Sequence, residues 1–341
     1  MLKKDQKLAI YMEGALTGDA GKMGFGILRY SPNPISCVID SHNAGKNLQT
    51  LVPFSPRNCP IVASVGEAIK HGSEVFVLGI APPGGQIPEE WNSAIDEAFK
   101  HRMSIINGLH DQLSNRYPPN QNQFVWDIRT EPEGLPVASG LAKDLTNQRL
   151  LMIGTDMAVG KMTSGLEIWS EALRQGIKAD FIATGQIGMT IMGSGVPLDA
   201  VRLDFAGGAI EREVMARTDS DLIIIEGQGA LIHPGSTANL PLLRGAMPTH
   251  LVLCHKAGQD HLVRVPWVKI PPLGAYIRLY EELGSACGVF PGPKTIGVCL
   301  NTSHLSEALA GKACDSLEME LGIPVVDPIR FGCLRIIEAL K

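Results

Sequence analysis

The chain has 341 residues, of which 45% are hydrophobic and 19% charged, with a net charge of −5. That balance excludes bulk disorder and gives no reason to expect a nucleic-acid surface; at about 150 residues per domain, the length fits two domains. No uncharged apolar run reaches the roughly 20 residues that span a bilayer, and the start, Met1-Leu2-Lys3-Lys4-Asp5, lacks the apolar segment of a secretory signal. The reading is therefore a cytoplasmic protein without a membrane partner. Seven scattered Cys without a C-x-x-C pair suggest reduced core thiols, with Cys254 and Cys299 inside apolar strand-like runs. No spacing suits metal ligands, so no metal site is expected.

Lys7–Met12 predicts a first strand, followed by Gly21-Lys22-Met23 and a short helix ending at Leu28-Arg29-Tyr30. Ile35–Asp40 is a strand ending in an acid, a place where a dinucleotide fold holds a ribose hydroxyl. The full G-x-G-x-x-G fingerprint is absent, which argues against nicotinamide binding. Further alternation follows: a helix over Val65–His71, a strand over Glu74–Ile80, a helix over Glu89–His101 and strands over Ser104–Asn107 and Phe124–Ile128. Strands and helices in this rhythm predict a parallel, doubly wound α/β sheet. Ligands of such sheets collect at the carboxyl ends of the strands, where Asp40, Gly84, Gly85 and His110 would lie. The boundary is placed near 145, giving domains 1–145 and 146–341.

The central stretch is the most informative. The apolar run Leu150–Ile153 leads into Gly154-Thr155-Asp156-Met157-Ala158-Val159-Gly160-Lys161-Met162-Thr163, and Met162, Leu166, Trp169 and Leu173 then mark one helix face. Strand, glycine loop, Lys and helix together predict a phosphate cradle, in which loop N–H groups, the helix dipole and a Lys converge on an anion. The loop departs from G-x-x-x-x-G-K-[ST]: it is one residue longer, and Met162 stands where a hydroxyl normally holds Mg²⁺. Thr163 sits about 100° further round the helix and cannot simply replace it.

Beyond the loop, Ala179–Ala183 and Val201–Phe205 read as strands, the latter entering Gly207-Gly208 and a helix to Arg217. Leu222–Ile225 fits a central strand buried on both faces, with Glu226-Gly227-Gln228-Gly229 at its end and His233 close behind. Thr249–Cys254, Lys294–Leu300 and Pro324–Val326 supply further strands, and Phe331–Leu340 a last helix. Asn301, at a strand end, is a candidate for recognising a nucleotide base. Tyr276, Leu279, Tyr280 and Leu283 form a helix face, read as core.

Gly154-Thr155-Asp156, Val159-Gly160-Lys161, Glu226-Gly227-x-Gly229 and Leu300-Asn301 resemble dethiobiotin synthetase and its relatives. Over nearly the full length the chain more closely resembles a two-domain family typified by a D-glutamate N-acetyltransferase. Gly26–Tyr30, Ala81–Gly85, Gly108–Asp111, Lys161-Met162-Thr163 and Glu226–Gly229 carry that likeness. It implies a Rossmann-like N-terminal domain, a P-loop NTPase-like C-terminal domain, and transfer of acetyl from acetyl-CoA to the amine of D-glutamate or a similar amino acid.

Coenzyme A carries phosphates suited to the loop and needs no Mg²⁺. The expected cofactor-binding set is Gly154, Thr155, Asp156, Val159, Gly160, Lys161, Met162, Thr163 and Asn301. Amine acetylation needs a base and oxyanion donors. Glu226 or His233 is the candidate base, backbone N–H groups of the substrate-binding candidates Gly227, Gln228 and Gly229 are the candidate oxyanion donors, and Arg202 is a candidate partner for a substrate carboxylate. The alternatives left open are an ATP- and Mg-dependent carboxylate-activating ligase of dethiobiotin synthetase type and a non-catalytic nucleotide- or CoA-binding module. A small-molecule substrate is expected in every case, and a homo-oligomer remains open.

Overall fold

The structure is a computed structural model and describes residues 2–341. It separates into two compact units, the first formed by residues up to Thr130 together with Gln186–Ala200, the second by Glu131–Gly185 and Val201–Lys341.

The first unit carries β1 (Leu8–Tyr11), α1 (Lys22–Tyr30), β2 (Ile35–Ile39), α2 (Leu48–Leu51), β3 (Ile61–Val62), α3 (Val65–Lys70), β4 (Val75–Leu78), α4 (Asn92–Lys100), β5 (Ser104–Asn107) and β6 (Val125–Asp127). The six strands pair in parallel in the order β3-β2-β1-β4-β5-β6. Strands β1, β4 and β5 are buried throughout, as short apolar runs covered on both faces must be. Tyr11 anchors one side of this core, with its ring 5.4 Å from Phe76 and 5.5 Å from Trp91.

The second unit carries β7 (Gln148–Gly154), α5 (Lys161–Arg174) and β8 (Ala179–Ile182). Here the chain leaves it for α6 (Gln186–Met192), which belongs to the first unit and packs on α1. It resumes with α7 (Leu203–Met215), β9 (Leu222–Ile225), α8 (Asn239–Ala246), β10 (His250–Lys256), α9 (Leu273–Ser285), β11 (Lys294–Asn301), α10 (Glu307–Leu321), β12 (Val325–Val326) and α11 (Leu334–Glu338). The parallel order is β12-β11-β10-β7-β9-β8. β7 therefore lies between β9 and β10, where the strand order reverses and an open α/β sheet leaves its ligand crevice. The registers Leu151↔Ile225 and Cys254↔Gly154 bring Thr155, Glu226 and His255 to one sheet edge.

Two expectations change. Val201–Phe205 is not a strand: Arg202 caps α7, Leu203 is 69% exposed, and the place beside β9 is taken by β8. The apolar–polar alternation of V-R-L-D-F imitated a strand across a helix start. The division of the chain also falls at 130/131 rather than 145/146. Residues 131–145 are fastened to α7, because the buried Glu211 carboxylate accepts the N–H groups of Ser139, Gly140 and Leu141. Gly208 lets that segment approach, since a Cβ there would stand 1.8 Å from the Pro136 carbonyl oxygen. Cys254 and Cys299 are free and buried, as read.

Candidate functional site

β7 delivers Gly154 to the carboxyl edge of the sheet, and α5 begins at Lys161. Between them the chain passes two left-handed positions, Ala158 (φ 57°) and Gly160 (φ 109°). Gly160 is required by its dihedral, since a Cβ there would meet nothing nearer than Ser164 Oγ at 3.9 Å. The N–H groups from Ala158 to Thr163 find no partner among the described residues. At the start of α5 this follows from helix geometry, and the positive end of the helix dipole adds to them. The loop thus has the backbone geometry of an anion cradle.

Lys161 is 7% exposed. Its side chain crosses Gly154 and Gly227, where added Cβ atoms would come within 2.9 Å of its Nζ and 3.1 Å of its Cδ. Nζ donates to the Asp156 carbonyl at 2.8 Å. Burial pushes the ammonium below the usual lysine range, against the pull of Cys254, Asp156 and Glu226.

Thr155 and Asp156, expected beside the cofactor, turn their side chains inward. Thr155 Oγ1 lies 2.9 Å from Nδ1 of His255, a ring that burial keeps neutral, near 4. Asp156 accepts the Met157 N–H at 2.7 Å, Gln259 Nε2 at 2.7 Å and the Val263 N–H at 2.9 Å. They brace the loop. Tyr276, read as core, is buried, and its hydroxyl donates to the Gly154 carbonyl at 3.0 Å and accepts the Leu231 N–H.

Glu226 emerges from β9 at 4% exposure. Its Oε2 accepts the N–H groups of Thr184 at 2.9 Å and Gly185 at 3.3 Å, and the Thr184 hydroxyl donates to the Glu226 carbonyl. Oε1 has no partner among the described residues. Burial raises the carboxyl to about 7, opposed by those two N–H groups and by the Lys161 charge. Thr184 and Gly185 were not anticipated as part of this site; their only signal was a Thr-Gly pair at a strand end.

The Glu226–Gly229 turn is tightly specified. A Cβ on Gly227 would stand 1.7 Å from the Met152 carbonyl oxygen, and Gly229 has φ +63° with Ser236 Oγ 1.9 Å from its Cβ position. The N–H groups of Gly227 and Gly229 are unpaired among the described residues, while Gln228 Nε2 reaches Thr184 Oγ1 at 3.2 Å.

His233 is buried, and its Nδ1 accepts the Gly235 N–H at 3.1 Å. In the neutral ring the proton therefore sits on Nε2, which is buried and unpartnered. Such an imidazole offers a donor rather than a base. Arg202 does not join the group: its side chain is 74% exposed, ion-paired with Glu131 at 3.0 Å and stacked on Phe205.

A cavity of about 480 Å³ opens beside the loop. Val159, Gly160 and Thr163 form one wall, Asn301 and Ser303 follow β11, and Asp327–Arg330 follow β12. Thr163 and Asn301 both line this cavity. Ser303 and Arg330 went unread in the sequence, although strand ends at β11 and β12 were the available signal.

The DUF1611 model, described as a domain of unknown function and P-loop domain, matches residues 136–337. Its N-terminal companion, a Rossmann-like domain, matches residues 41–131. A protein named D-glutamate N-acetyltransferase from Tritonibacter scottomollicae is 32% identical over 94% of this chain and 94% of its own. Another of that name, from a Pseudoalteromonas species, is 36% identical over 79% of this chain and 82% of its own. A crystal structure of a DUF1611 family protein from Anabaena variabilis is 45% identical, covers 98% of this chain and 99% of that one, and superposes with a TM-score of 0.94.

Proposed function

The chain belongs to the DUF1611 family, and we propose that it is an N-acetyltransferase moving acetyl from acetyl-CoA to the amine of D-glutamate or a similar amino acid. Glu226 carries the reading: a buried carboxyl with one oxygen pinned by two N–H groups, the other unpaired, held near pH 7 beside the phosphate loop. A base poised near the working pH is what amine acetylation needs, because the attacking nitrogen must lose a proton.

The cradle suits a coenzyme A diphosphate. Its open N–H groups and Lys161 supply the anion contacts, and an ester of this kind does not call on the hydroxyl that Met162 replaces. Glu226 takes the amine proton through Oε1 as the nitrogen bonds to the acetyl carbon; the C–S bond then breaks, and the departing CoA thiolate receives that proton. The N–H groups of Gly227 and Gly229, without a partner among the described residues, are the proposed donors to the developing oxyanion. Thr184 and Gly185 fix the carboxyl, and Thr155, Asp156 and Tyr276 fix the loop around it. Of the two candidate bases, Glu226 is favoured over His233, whose Nδ1 is already occupied.

Calorimetry of acetyl-CoA and ATP binding, with and without Mg²⁺, tests this on wild type and Lys161→Ala. The expected result is metal-independent acetyl-CoA binding, weakened about ten- to a hundredfold in the variant. Mg-dependent ATP binding without acetyl-CoA binding would instead indicate a carboxylate-activating ligase or a nucleotide-binding module.

A further inference from the structure

We infer that the cavity beside the loop receives the nucleoside end of the acyl donor, and that Arg330 selects a donor whose ribose carries a 3′-phosphate. The inference rests on the acetyl-CoA reading and names a specificity residue for it.

The cavity is continuous with the cradle, since Val159 and Gly160 line it, and about 480 Å³ lies within the usual range for a small-molecule site, roughly 300–1,000 Å³. Its walls are mixed: Val159, Pro328 and Ile329 offer apolar surface for a ring, and Asn301 and Ser303 offer polar groups. Asn301 Oδ1 accepts the Ser303 N–H at 3.1 Å, which leaves its amide N–H₂ to donate to a base.

Among the described lining residues Arg330 is the one basic side chain and Asp327 the one acid. The acid organises the turn that carries Arg330. Its Oδ2 accepts the Thr302 N–H and hydroxyl, and its Oδ1 accepts the N–H groups of Ile329 at 2.9 Å and Arg330 at 3.1 Å. Arg330 Nε is ion-paired with that carboxylate at 3.8 Å, too long for a hydrogen bond, while Nη2 donates to the Leu305 carbonyl at 2.9 Å. The guanidinium is therefore held at the wall with Nη1 uncommitted, a fork suited to a phosphate.

The charge lies on the nucleoside side of the loop. A nucleoside 5′-triphosphate places all its phosphates on the cradle and gives Arg330 nothing to bind. A ribose 3′-phosphate on the same nucleotide falls in the cavity and meets the uncommitted Nη1. This distinguishes a coenzyme A thioester from ATP by chemistry alone.

Calorimetry of CoA, dephospho-CoA (which lacks the 3′-phosphate) and ADP, on wild type, Arg330→Gln and Arg330→Lys, provides the test. Wild type should prefer CoA over dephospho-CoA by about ten- to a hundredfold. Arg330→Gln should abolish that preference while leaving dephospho-CoA affinity unchanged, and Arg330→Lys should keep part of it. Equal wild-type affinity for CoA and dephospho-CoA, or an equal loss of both in Arg330→Gln, overturns the assignment of Arg330 but leaves the donor reading standing. Failure of wild type to bind either CoA form, with ADP still bound, overturns both.

Discussion

Gly21-Lys22-Met23 and Gly160-Lys161-Met162 have the same letters, and each opens a helix after a strand, yet they do different things. In the first turn the glycines serve packing. Gly21 has an ordinary φ of −78°, and a Cβ on it would stand 2.7 Å from the Ala15 carbonyl oxygen and from Met12 Cε. Gly24 is pressed on Met12 Sδ, its N–H is taken by the Gly79 carbonyl, and Lys22 is exposed. In the second turn the glycine serves direction. Gly160 at φ 109° leaves a run of N–H groups open, and Lys161 folds back over Gly154 and Gly227 into burial. A cradle is thus defined by a left-handed glycine, unpaired N–H groups and a sequestered Lys, and the letters G-K-M alone define none of these.

The largest effect should come from Glu226, the buried acid beside the second turn. Glu226→Gln should lower kcat about 10²- to 10⁴-fold with acetyl-CoA binding little changed. His233→Ala should cost much less, because its Nδ1 already holds a backbone N–H. In wild type kcat/KM should rise with pH through about 7, as the raised Glu226 carboxyl loses its proton and becomes a base. The stability effect has the opposite sign. A carboxyl raised from 4.5 to about 7 favours the folded state below pH 4.5, and that contribution, about 3 kcal/mol, is lost as pH rises through 7. Denaturant titrations between pH 5 and 8 should show this slope in wild type and a flatter one in Glu226→Gln. A pH-independent kcat/KM across that range would remove Glu226 from the chemistry.

The parallel strands and the phosphate loop were legible because their signals are local. Leu222–Ile225 is an apolar run that only a doubly covered strand satisfies, and the glycine–Lys loop between strand and helix has one common use. What stayed hidden depended on contacts distant in sequence. Arg202 reads as a substrate partner from its strand-like surroundings, but Glu131, 71 residues away, claims it at the surface. Residues 131–145 joined the second unit through Glu211, and α6 joined the first through α1, neither of which composition could reveal. The tautomer of His233 depends on a single N–H two residues on. Arg330 reads as a loose loop cation until Asp327 and the Leu305 carbonyl show that its guanidinium is fixed with Nη1 uncommitted.

The glycines offer a more even-handed contrast. Gly160→Ala meets no steric obstacle, but it forces an L residue towards φ 109°, so the loop should re-aim its N–H groups. Acetyl-CoA affinity should fall about tenfold or more, with a stability loss of about 1–3 kcal/mol. Gly21→Ala keeps an allowed dihedral but collides with Ala15 and Met12, so it should cost about 1–3 kcal/mol of stability and leave affinity untouched. Thermal melts paired with calorimetry separate the two. If Gly21→Ala weakens acetyl-CoA binding, the two turns are more alike than their geometry says.

The smallest expected effect is the most direct check on the shared letters. Lys22 is exposed at the start of α1, so Lys22→Ala removes a solvated side chain from a helix whose glycines and core contacts stay in place. Surface substitutions of this kind change stability by no more than about 0.5 kcal/mol. Acetyl-CoA affinity and kcat should match wild type within about twofold, against the ten- to hundredfold loss expected at Lys161. The comparison turns on burial: Lys161 gives up solvent and is held on the Asp156 carbonyl, so its charge is aimed, whereas the Lys22 charge is shared with water. A matching loss in Lys22→Ala would mean that the first turn also meets an anion during turnover, and that exposure in this structure does not describe its working state.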